Sequence, residues 1–273
     1  MKKYFILENQ KKEGARILGE TIENYLSEHG CEFTTLSGYM DSSKVPQGTE
    51  CIITIGGDGT LITAATAACS LNIPIIGVNA GHLGYLTSIS NQEEIPAMLQ
   101  QLIEDKYQII DCNTLTVNVD GREVECVVNE VTIGKHSPLH VVKIRISVDD
   151  EYLSDISADG IIVSTPTGST AYNLSAGGSV IQTGMDAFAI TPICVHGNII
   201  NSIVVDGGSE IELEIIDDGS SEPVATYDGR EEIALRTGSK VTIKKGNYPI
   251  HFIRLGNETF ISNLRKKLEA LMK

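Results

Sequence analysis

Residues 51–60 of this 273-residue chain read CIITIGGDGT, and this stretch decides the fold. The β-branched run Cys51–Ile55 is typical of a buried strand and ends abruptly in two glycines. The segment Leu61–Leu71 that follows is rich in Ala and Thr and is predicted to be helical. A buried strand that passes through a glycine turn into a helix predicts an open α/β sheet, in which ligands bind at the carboxyl ends of the strands.

The segments on either side extend the same alternation of strand and helix. Tyr4–Leu7 is a short apolar run, and Gln10–His29 has apolar residues at helical spacing. Ile73–Val78 is a second β-branched run, and Glu93–Ile103 is again helical in its spacing. Apolar strands separated by helices predict a parallel sheet covered on both faces, so we assign residues 1–112 to an α/β domain.

The pattern changes near Cys112. From there on, short alternating segments separated by turn signals predict an all-β domain over residues 113–257, with about eight to twelve strands. Asp120-Gly121 and Asp149-Asp150 each lie between two such segments and predict hairpins.

The last segment returns to helical spacing. Ser262–Met272 places Leu264, Leu268 and Leu271 on one face. A lone helix after a β domain needs an apolar partner, so we expect residues 258–273 to pack back on the α/β domain.

Charge and composition exclude several kinds of partner. The formal net charge is −15, and an acidic chain repels nucleic-acid phosphates. No apolar run is long enough to cross a bilayer, and the N-terminus does not resemble a signal peptide, so we expect a cytoplasmic protein that binds no membrane. The six cysteines are scattered, without a CxxC pair or a histidine at ligand spacing, so we predict neither a zinc site nor a disulfide.

The glycine turn is the first candidate site. Gly56, Gly57 and Gly59 let the backbone approach phosphate oxygens, and the helix that starts near Thr60 adds N–H donors. Asp58 can orient a hydroxyl group and accept its proton. The alternative is an ordinary Asp-Gly turn, of which the chain has others at Asp120, Asp206 and Asp228. Because position 62 is isoleucine, G-x-G-x-x-G is absent, and no P-loop motif occurs.

The second candidate site follows the predicted strand Ile161–Ser164. The block from Thr165 to Gly178 contains five hydroxyl side chains, those of Thr165, Thr167, Ser169, Thr170 and Ser175. Hydroxyl and open N–H groups bind ribose or phosphate without positive charge, which suits an acidic protein. The alternative is a Ser/Thr-rich loop with a proline turn.

At these residues the chain resembles a known family. Gly56–Thr60 resembles the GGDG signature of NAD kinases, diacylglycerol-type lipid kinases and phosphofructokinases. The Asp159-Gly160 and Thr165–Tyr172 block, with Asn129-Glu130 ahead of it, resembles NAD kinases of the bacterial type in particular. The resemblance implies a phosphofructokinase-like α/β domain joined to an all-β NAD-binding domain, with the active site between them.

The resemblance also implies roles for single residues. Asp58 corresponds to the catalytic proton acceptor for the adenosine ribose 2′-hydroxyl of NAD. Asp159 corresponds to a contact to the nicotinamide end, often across a subunit interface. The remaining NAD contacts that it implies are Gly59, Asn129, Glu130, His140, Thr170, Ala171, Tyr172 and Ser175.

We expect the phosphate donor to lie against both motifs. The donor is ATP, another nucleotide or polyphosphate, and it carries Mg²⁺ or another divalent metal without direct protein ligands. The residues assigned to donor binding are Gly56, Gly57, Gly59, Thr60, Thr165, Thr167, Gly168 and Ser169. The resemblance also implies a homodimer or homotetramer.

The chain departs from the family pattern in the segment 195–203. Val195 replaces a usual proline, and Asn201-Ser202-Ile203 stands where an Arg-Pro pair is usual. Ser179 replaces another proline, and Arg230 stands where glutamine is frequent. These changes affect nicotinamide-side and subunit contacts and leave Asp58 untouched.

Two other functions stay open. One is a related kinase for a lipid alcohol or a sugar phosphate, although a lipid kinase needs an apolar or basic membrane-binding surface that this acidic sequence does not supply. The other is a non-catalytic NAD-binding sensor, for which a replaced Asp58 would be the simplest sign.

Overall fold

The computed structural model describes residues 1–12, 14–80, 92–137, 140–197, 201–219, 221–230, 232–256 and 259–271, without the side chains of 266–268, 270 and 271. The chain divides into two compact units. The first contains Met1–Asp111 and Ile250–Lys273, and the second contains Cys112–Pro249. Within the described residues, no helix is long and apolar enough to cross a bilayer.

The elements follow in chain order. The first stretch contains β1 (Lys3–Glu8), α1 (Ala15–Glu28), β2 (Glu32–Ser37), β3 (Cys51–Gly56), α2 (Asp58–Ala68), β4 (Ile75–Asn79), α3 (Ile95–Ile103) and β5 (Tyr107–Cys112). The middle contains β6 (Leu115–Val119), β7 (Arg122–Val127), β8 (Glu130–Gly134), β9 (Val142–Val148), β10 (Glu151–Ala158), β11 (Gly160–Ser164), α4 (Tyr172–Ser175), β12 (Ala187–Ile193), β13 (Ile203–Asp206), β14 (Ile211–Asp217), β15 (Val224–Tyr227), β16 (Glu232–Ala234) and β17 (Lys240–Lys245). The chain ends with β18 (Ile250–Leu255) and α5 (Phe260–Leu271).

The first unit is built on one sheet, with the strand order β2-β1-β3-β4-β18-β5 among the described residues. The pairs β1–β2, β1–β3, β3–β4 and β4–β18 are parallel. Every residue of β3 and β4 is buried. Because successive residues of a strand point to opposite faces, both faces of these strands are covered. The predicted α/β region with a parallel sheet is confirmed.

The strand β18 belongs to a different domain from the one predicted from the sequence. It pairs with β4 through Phe252 and Ile75 and so belongs to the first sheet, whereas the sequence pattern places it in the all-β domain. The apolar period of a short strand does not indicate which sheet it joins. The side chains of Leu268 and Leu271 lie outside the described residues, so the predicted packing of the C-terminal helix stays a prediction.

The second unit contains two antiparallel six-stranded sheets in the described part of the chain. Their strand orders are β10-β9-β14-β17-β6-β7 and β13-β12-β11-β8-β15-β16. One core joins these two sheets. Leu115 of β6 and Ile144 of β9 lie in the same buried cluster as Ile161 of β11 and Phe188 of β12. The predicted hairpins at Asp120-Gly121 and Asp149-Asp150 are confirmed as the turns β6–β7 and β9–β10.

The cysteines correct one sequence-based prediction. Cys31, Cys51 and Cys112 are buried and are not part of a disulfide, but Cys69 and Cys126 are disulfide-bonded. Scattered spacing along the chain carries no information about which sulfur atoms meet in space. Among the described residues, no group of three or more His, Cys, Asp or Glu side chains is placed to hold a metal ion.

Candidate active site

The start of α2 is built from glycines that leave its backbone open. β3 ends at Gly56, and Gly57 precedes α2 in an extended conformation without a side-chain cap. A Cβ at Gly56 would lie 2.3 Å from Thr60 Oγ1, so the tight turn requires glycine there. Cβ atoms at Gly57 and Gly59 would meet no described atom within 4 Å. A ligand can therefore approach this helix N-terminus closely.

Asp58 is the first residue of α2 and is half-buried. The first turn of a helix favours a negative charge, because the helix dipole and the unpaired N–H groups are positive there. A carboxylate is thus held at the edge of the open glycine turn. A carboxylate can accept the proton of a ligand hydroxyl group that lies within hydrogen-bond reach of it.

The loop after β1 is tied to the first turn of α2. Asn9 Nδ2 donates to Thr60 Oγ1 over 3.0 Å, and Asn9 Oδ1 accepts a hydrogen bond from the N–H of Lys11 over 3.1 Å. A cavity of about 380 Å³ is lined by these three residues and by Tyr39 and Gly59. Its open helix N-terminus and its lysine both suit phosphate groups.

In the second unit, strand register brings distant parts of the sequence to one end of a sheet. β8 lies between β11 and β15, and it pairs Glu130 with Ser164 and Val131 with Tyr227. Both β11 and β15 run antiparallel to β8. The residues that follow these two strands therefore lie beside Asn129, which precedes β8. Asn129 is therefore next to the start of the hydroxyl-rich loop.

Asn129 and Glu130 carry buried oxygens that have no hydrogen-bond partner. Asn129 Oδ1 and Glu130 Oε2 are both in this state within the described structure. Burial, with a smaller contribution from the charge of Asp228, raises the pKa of Glu130 to about 8. Since buried polar atoms are normally paired, two neighbouring unpaired oxygens indicate a site that a polar ligand completes.

Thr165 and Ser169 use their hydroxyl groups inside the loop. Thr165 Oγ1 donates to the carbonyl oxygen of Val128 over 2.7 Å and accepts from the N–H of Gly168 over 3.1 Å. Ser169 Oγ accepts from the N–H of Ile181 over 2.9 Å and donates to backbone carbonyls. Both side chains are fully buried. Their sequence-based assignment to phosphate contact does not fit this geometry, which instead holds the shape of the loop.

Gly168 packs against the protein's own backbone, whereas the hydroxyl group of Thr167 does not bond to any described residue. A Cβ at Gly168 would lie 2.1 Å from the carbonyl oxygen of Asn129, so this glycine is required by the packing of the protein backbone. Thr167 Oγ1, by contrast, is buried and has no partner among the described residues. The assignment of Thr167 to the binding of the phosphate donor stays a prediction.

The short helix α4 and the two residues before it contain four of the predicted NAD contacts. The half-buried or exposed residues of this segment include Thr170, Ala171, Tyr172 and Ser175. Between them, Asn173 is completely buried, and its Nδ2 donates to the carbonyl oxygens of Ser169 (3.2 Å) and Ser179 (3.0 Å). These hydrogen bonds anchor α4 to the loop. Its first residue, Tyr172, is 46% exposed.

Asp159 lies at the other end of β11. Its Oδ1 is 2.6 Å from Lys135 Nζ and 4.0 Å from His196 Nε2. The five residues of β11 separate it from Thr165 by roughly 20 Å. The second unit therefore does not bring Asp159 together with the residues that precede β8. His140 is exposed in the connection between β8 and β9.

The comparison with known families decides the identity. Residues 128–255 match the ATP-NAD kinase C-terminal domain, and residues 41–107 match the ATP-NAD kinase N-terminal domain. An NAD kinase from Lachnospira eligens is 34% identical over 295 residues, which cover 98% of this chain and 100% of the relative. This chain belongs to the NAD kinase family. An NAD kinase from Agathobacter rectalis is also 34% identical and covers 98% of this chain and 99% of its own length. The chain is a phosphotransferase of this family.

Solved NAD kinase structures share the fold. A yeast NADH kinase complexed with NADH has a TM-score of 0.84 at 19% identity, over 98% of this chain and 88% of its own. An NAD kinase from Archaeoglobus fulgidus in complex with ATP has a TM-score of 0.80 at 24% identity, over 98% of this chain and 99% of its own.

Several residues that position the candidate site residues were not predicted from the sequence. These are Asn9, Lys135, Asn173 and Asp228. Each acts through a hydrogen bond or ion pair to a residue that strand register or loop folding brings near. Asp228 in particular has the same Asp-Gly sequence as the ordinary turns of the chain. In the atypical segment 195–203, residues 198–200 lie outside the described residues.

Proposed function

We propose that this chain transfers a phosphoryl group from ATP, or from another nucleotide or polyphosphate, to the adenosine ribose 2′-hydroxyl of NAD, giving NADP. Family membership over nearly the whole chain supports the proposal, since relatives of matching length are NAD kinases. The proposed setting is the cytoplasm.

The observation that carries the proposal is the pair of unpaired buried oxygens at Asn129 and Glu130. A ribose offers hydroxyl groups that both donate and accept hydrogen bonds, so it can satisfy the two side chains together. Thr167 Oγ1 adds a third unpaired oxygen in the same unit. The nearby side chains of Thr170, Ala171, Tyr172 and Ser175 then contact the adenosine.

Asp58 is the proposed catalytic residue. It accepts the proton of the 2′-hydroxyl as that oxygen bonds to the transferred phosphorus and the donor's bridging oxygen leaves. Phosphoryl transfer has a loose transition state, so positioning and charge neutralisation contribute more than proton removal. The open backbone at Gly57 and Gly59, with Thr60 and Lys11 beside the same cavity, suits the donor phosphates.

The donor would carry Mg²⁺ or another divalent ion, which would neutralise phosphate charge. The N–H groups at the start of α2 and the side chain of Lys11 complete the binding of the polyphosphate.

The nicotinamide half of NAD is assigned to Asp159, and His140 is a further proposed contact to NAD. The roughly 20 Å between Asp159 and the start of the hydroxyl-rich loop suits a site completed by another copy of the chain. We therefore propose that the enzyme works as a homodimer or homotetramer. Lys135 holds the Asp159 carboxylate in place through its ion pair.

The activity is tested with an assay in which NADP formation is coupled to an NADP-specific dehydrogenase. The purified chain is supplied with NAD, ATP and Mg²⁺, and in parallel reactions with polyphosphate as the donor or with a lipid alcohol or sugar phosphate as the acceptor. NADP formation is the expected result. Phosphorylation of another acceptor, with none of NAD, would identify a related kinase. Binding of NAD without turnover would identify a sensor.

A further inference from the structure

The carboxylate of Asp228 holds the backbone that leads into β8. It accepts hydrogen bonds from the N–H groups of Val128 (2.9 Å), Asn129 (2.7 Å) and Glu130 (3.3 Å). The N–H of Asp228 returns a hydrogen bond to the carbonyl oxygen of Glu130 over 3.0 Å. At the Asp-Gly turn of Asp206, the carboxylate accepts one such bond, from Gly208 over 2.8 Å, at an exposed position. Asp228 is therefore more than a turn residue.

The half-buried Asp228 and the buried Glu130 form a pair of carboxyl groups with unequal surroundings. Three N–H donors stabilise a negative charge on Asp228, whereas Glu130 Oε2 is buried without a partner. Two carboxyl groups in one buried site do not both ionise easily, so the group with more donors takes the charge. The geometry thus leaves the proton on Glu130.

The charged and titratable groups around Glu130 agree with this division. Burial first, and then the charge of Asp228, raises the pKa of Glu130 to about 8. Burial also raises the pKa of Asp228, but its backbone hydrogen bonds and Arg230 oppose that rise. On the neighbouring strands, β15 contributes the titratable Tyr227, and β11 contains no titratable side chain.

We propose that Glu130 binds the adenosine ribose as a neutral carboxyl group that donates a hydrogen bond, and that Asp228 is the positioning residue that shapes the segment and keeps this proton in place. The proposal rests on the proposed function, because it assigns the ribose to this pocket. It adds the protonation state of the pocket and a residue that the family resemblance does not assign.

The proposal has a direct consequence for pH dependence. A neutral carboxyl group donates through its O–H and accepts through its carbonyl oxygen, which matches a ribose hydroxyl group. Above pH 8, ionised Glu130 loses this donor and places a second negative charge beside Asp228 and the anionic dinucleotide. NAD affinity then falls by up to about tenfold per pH unit, as proton linkage requires when the bound form needs the proton.

The test measures the dissociation constant of NAD by calorimetry between pH 6 and about 9.5, without the phosphate donor. For the wild type, we expect a constant value below pH 7 and steady weakening above pH 8. Glu130→Gln keeps the size and a donor but cannot ionise, so its affinity should stay near the wild-type plateau at every pH. A wild-type affinity that rises with pH, or a Glu130→Gln variant that loses NAD binding at pH 7, would overturn the proposal.

A second variant separates positioning from general stability. Asp228→Asn removes the charge that disfavours ionisation of Glu130, so the midpoint of the pH profile should move to lower pH, and NAD binding should weaken at pH 7 as well. Asp206→Asn changes the matched exposed Asp-Gly turn and should leave the midpoint and the affinity unchanged. If Asp228→Asn weakened binding but kept the wild-type midpoint, its role would be structural only, and the proposed link to Glu130 would be wrong.

Infrared difference spectroscopy gives a readout without ligand or activity. The carboxylic-acid carbonyl band of the wild type at pH 7 should include a component that Glu130→Gln abolishes. Absence of that component would contradict a neutral Glu130. If NAD failed to bind the wild type at any pH, the proposed function itself would fall. If NAD bound with a flat pH profile, only the present inference would be refuted.

Discussion

The glycine turn before α2 and the hydroxyl-rich loop after β11 contain similar residues but differ in packing. At Gly57 and Gly59 the space beside the backbone is open, and ligand groups can enter it. At Gly168 the corresponding space is filled by the carbonyl oxygen of Asn129. Glycine therefore leaves space for a ligand in the turn before α2, whereas in the loop after β11 it leaves space for the protein's own backbone. Small and hydroxyl residues in a motif are not all ligand contacts.

The largest expected effect is in the open region. Asp58→Asn keeps the size of the side chain but removes the basic oxygen, so kcat should fall by about 10²–10⁴, the usual share of a general base. The dissociation constant of NAD should change little, because the proposed ribose contacts lie at Asn129 and Glu130. Steady-state kinetics together with NAD binding by calorimetry would measure both quantities.

The matched control is Asp41→Asn. Asp41 also starts a short helical turn of the first unit, where its carboxylate accepts a hydrogen bond from the N–H of Ser43. This variant should turn over at the wild-type rate. Normal turnover by Asp58→Asn would remove Asp58 from the chemistry and leave the open turn as a binding element alone.

The next effect compares one alanine substitution in each region. Gly168→Ala forces a methyl group against the Asn129 carbonyl and should lower the free energy of unfolding by about 1–3 kcal/mol. Gly59→Ala enters open space within α2 and should change stability by less than about 1 kcal/mol, while raising KM for the donor. Urea denaturation and donor kinetics would show the two outcomes. Equal destabilisation by both substitutions would erase the distinction between the open and the packed region.

The smallest effect is expected within the packed loop itself. Thr165→Val leaves two buried backbone partners unpaired and should cost about 1–2 kcal/mol of stability. Thr167→Val removes a buried hydroxyl group that has no described partner, so the free protein should be equally stable or slightly more stable, with weaker ligand binding. Thermal unfolding with and without NAD and ATP would measure both changes. A Thr167→Val variant that bound both substrates normally would exclude Thr167 from ligand contact.

Much of the fold could be predicted because local patterns determine it. The β-branched runs gave β3 and β4, and the Asp-Gly and Asp-Asp pairs gave the hairpins of the second unit. The assignment of β18 to a sheet could not be predicted, since its apolar residues fit either domain and only its pairing with Ile75 decides. The disulfide state of Cys69 and Cys126 was also beyond reach, because spacing does not report proximity.

The sequence motif predicted some neighbours within the candidate site, but not the role of each side chain. Asn129, Glu130 and the hydroxyl-rich loop become neighbours through the register of β8 and β11, which agrees with their shared motif. The internal roles of Thr165 and Ser169 depend on tertiary hydrogen bonds that no spacing encodes. Asp228 has the sequence of a common turn, and only its position opposite β8 makes it a partner of three N–H groups.

The most direct measurement is a crystal structure of the chain with bound NAD. We expect the 2′ oxygen of the adenosine ribose to lie within hydrogen-bond reach of an Asp58 carboxylate oxygen, at about 2.6–3.2 Å, with the same ribose in contact with Asn129 and Glu130. A structure in which NAD binds but its 2′ oxygen lies beyond the reach of Asp58, or beside a different carboxylate, would contradict the assignment of Asp58 as the proton acceptor.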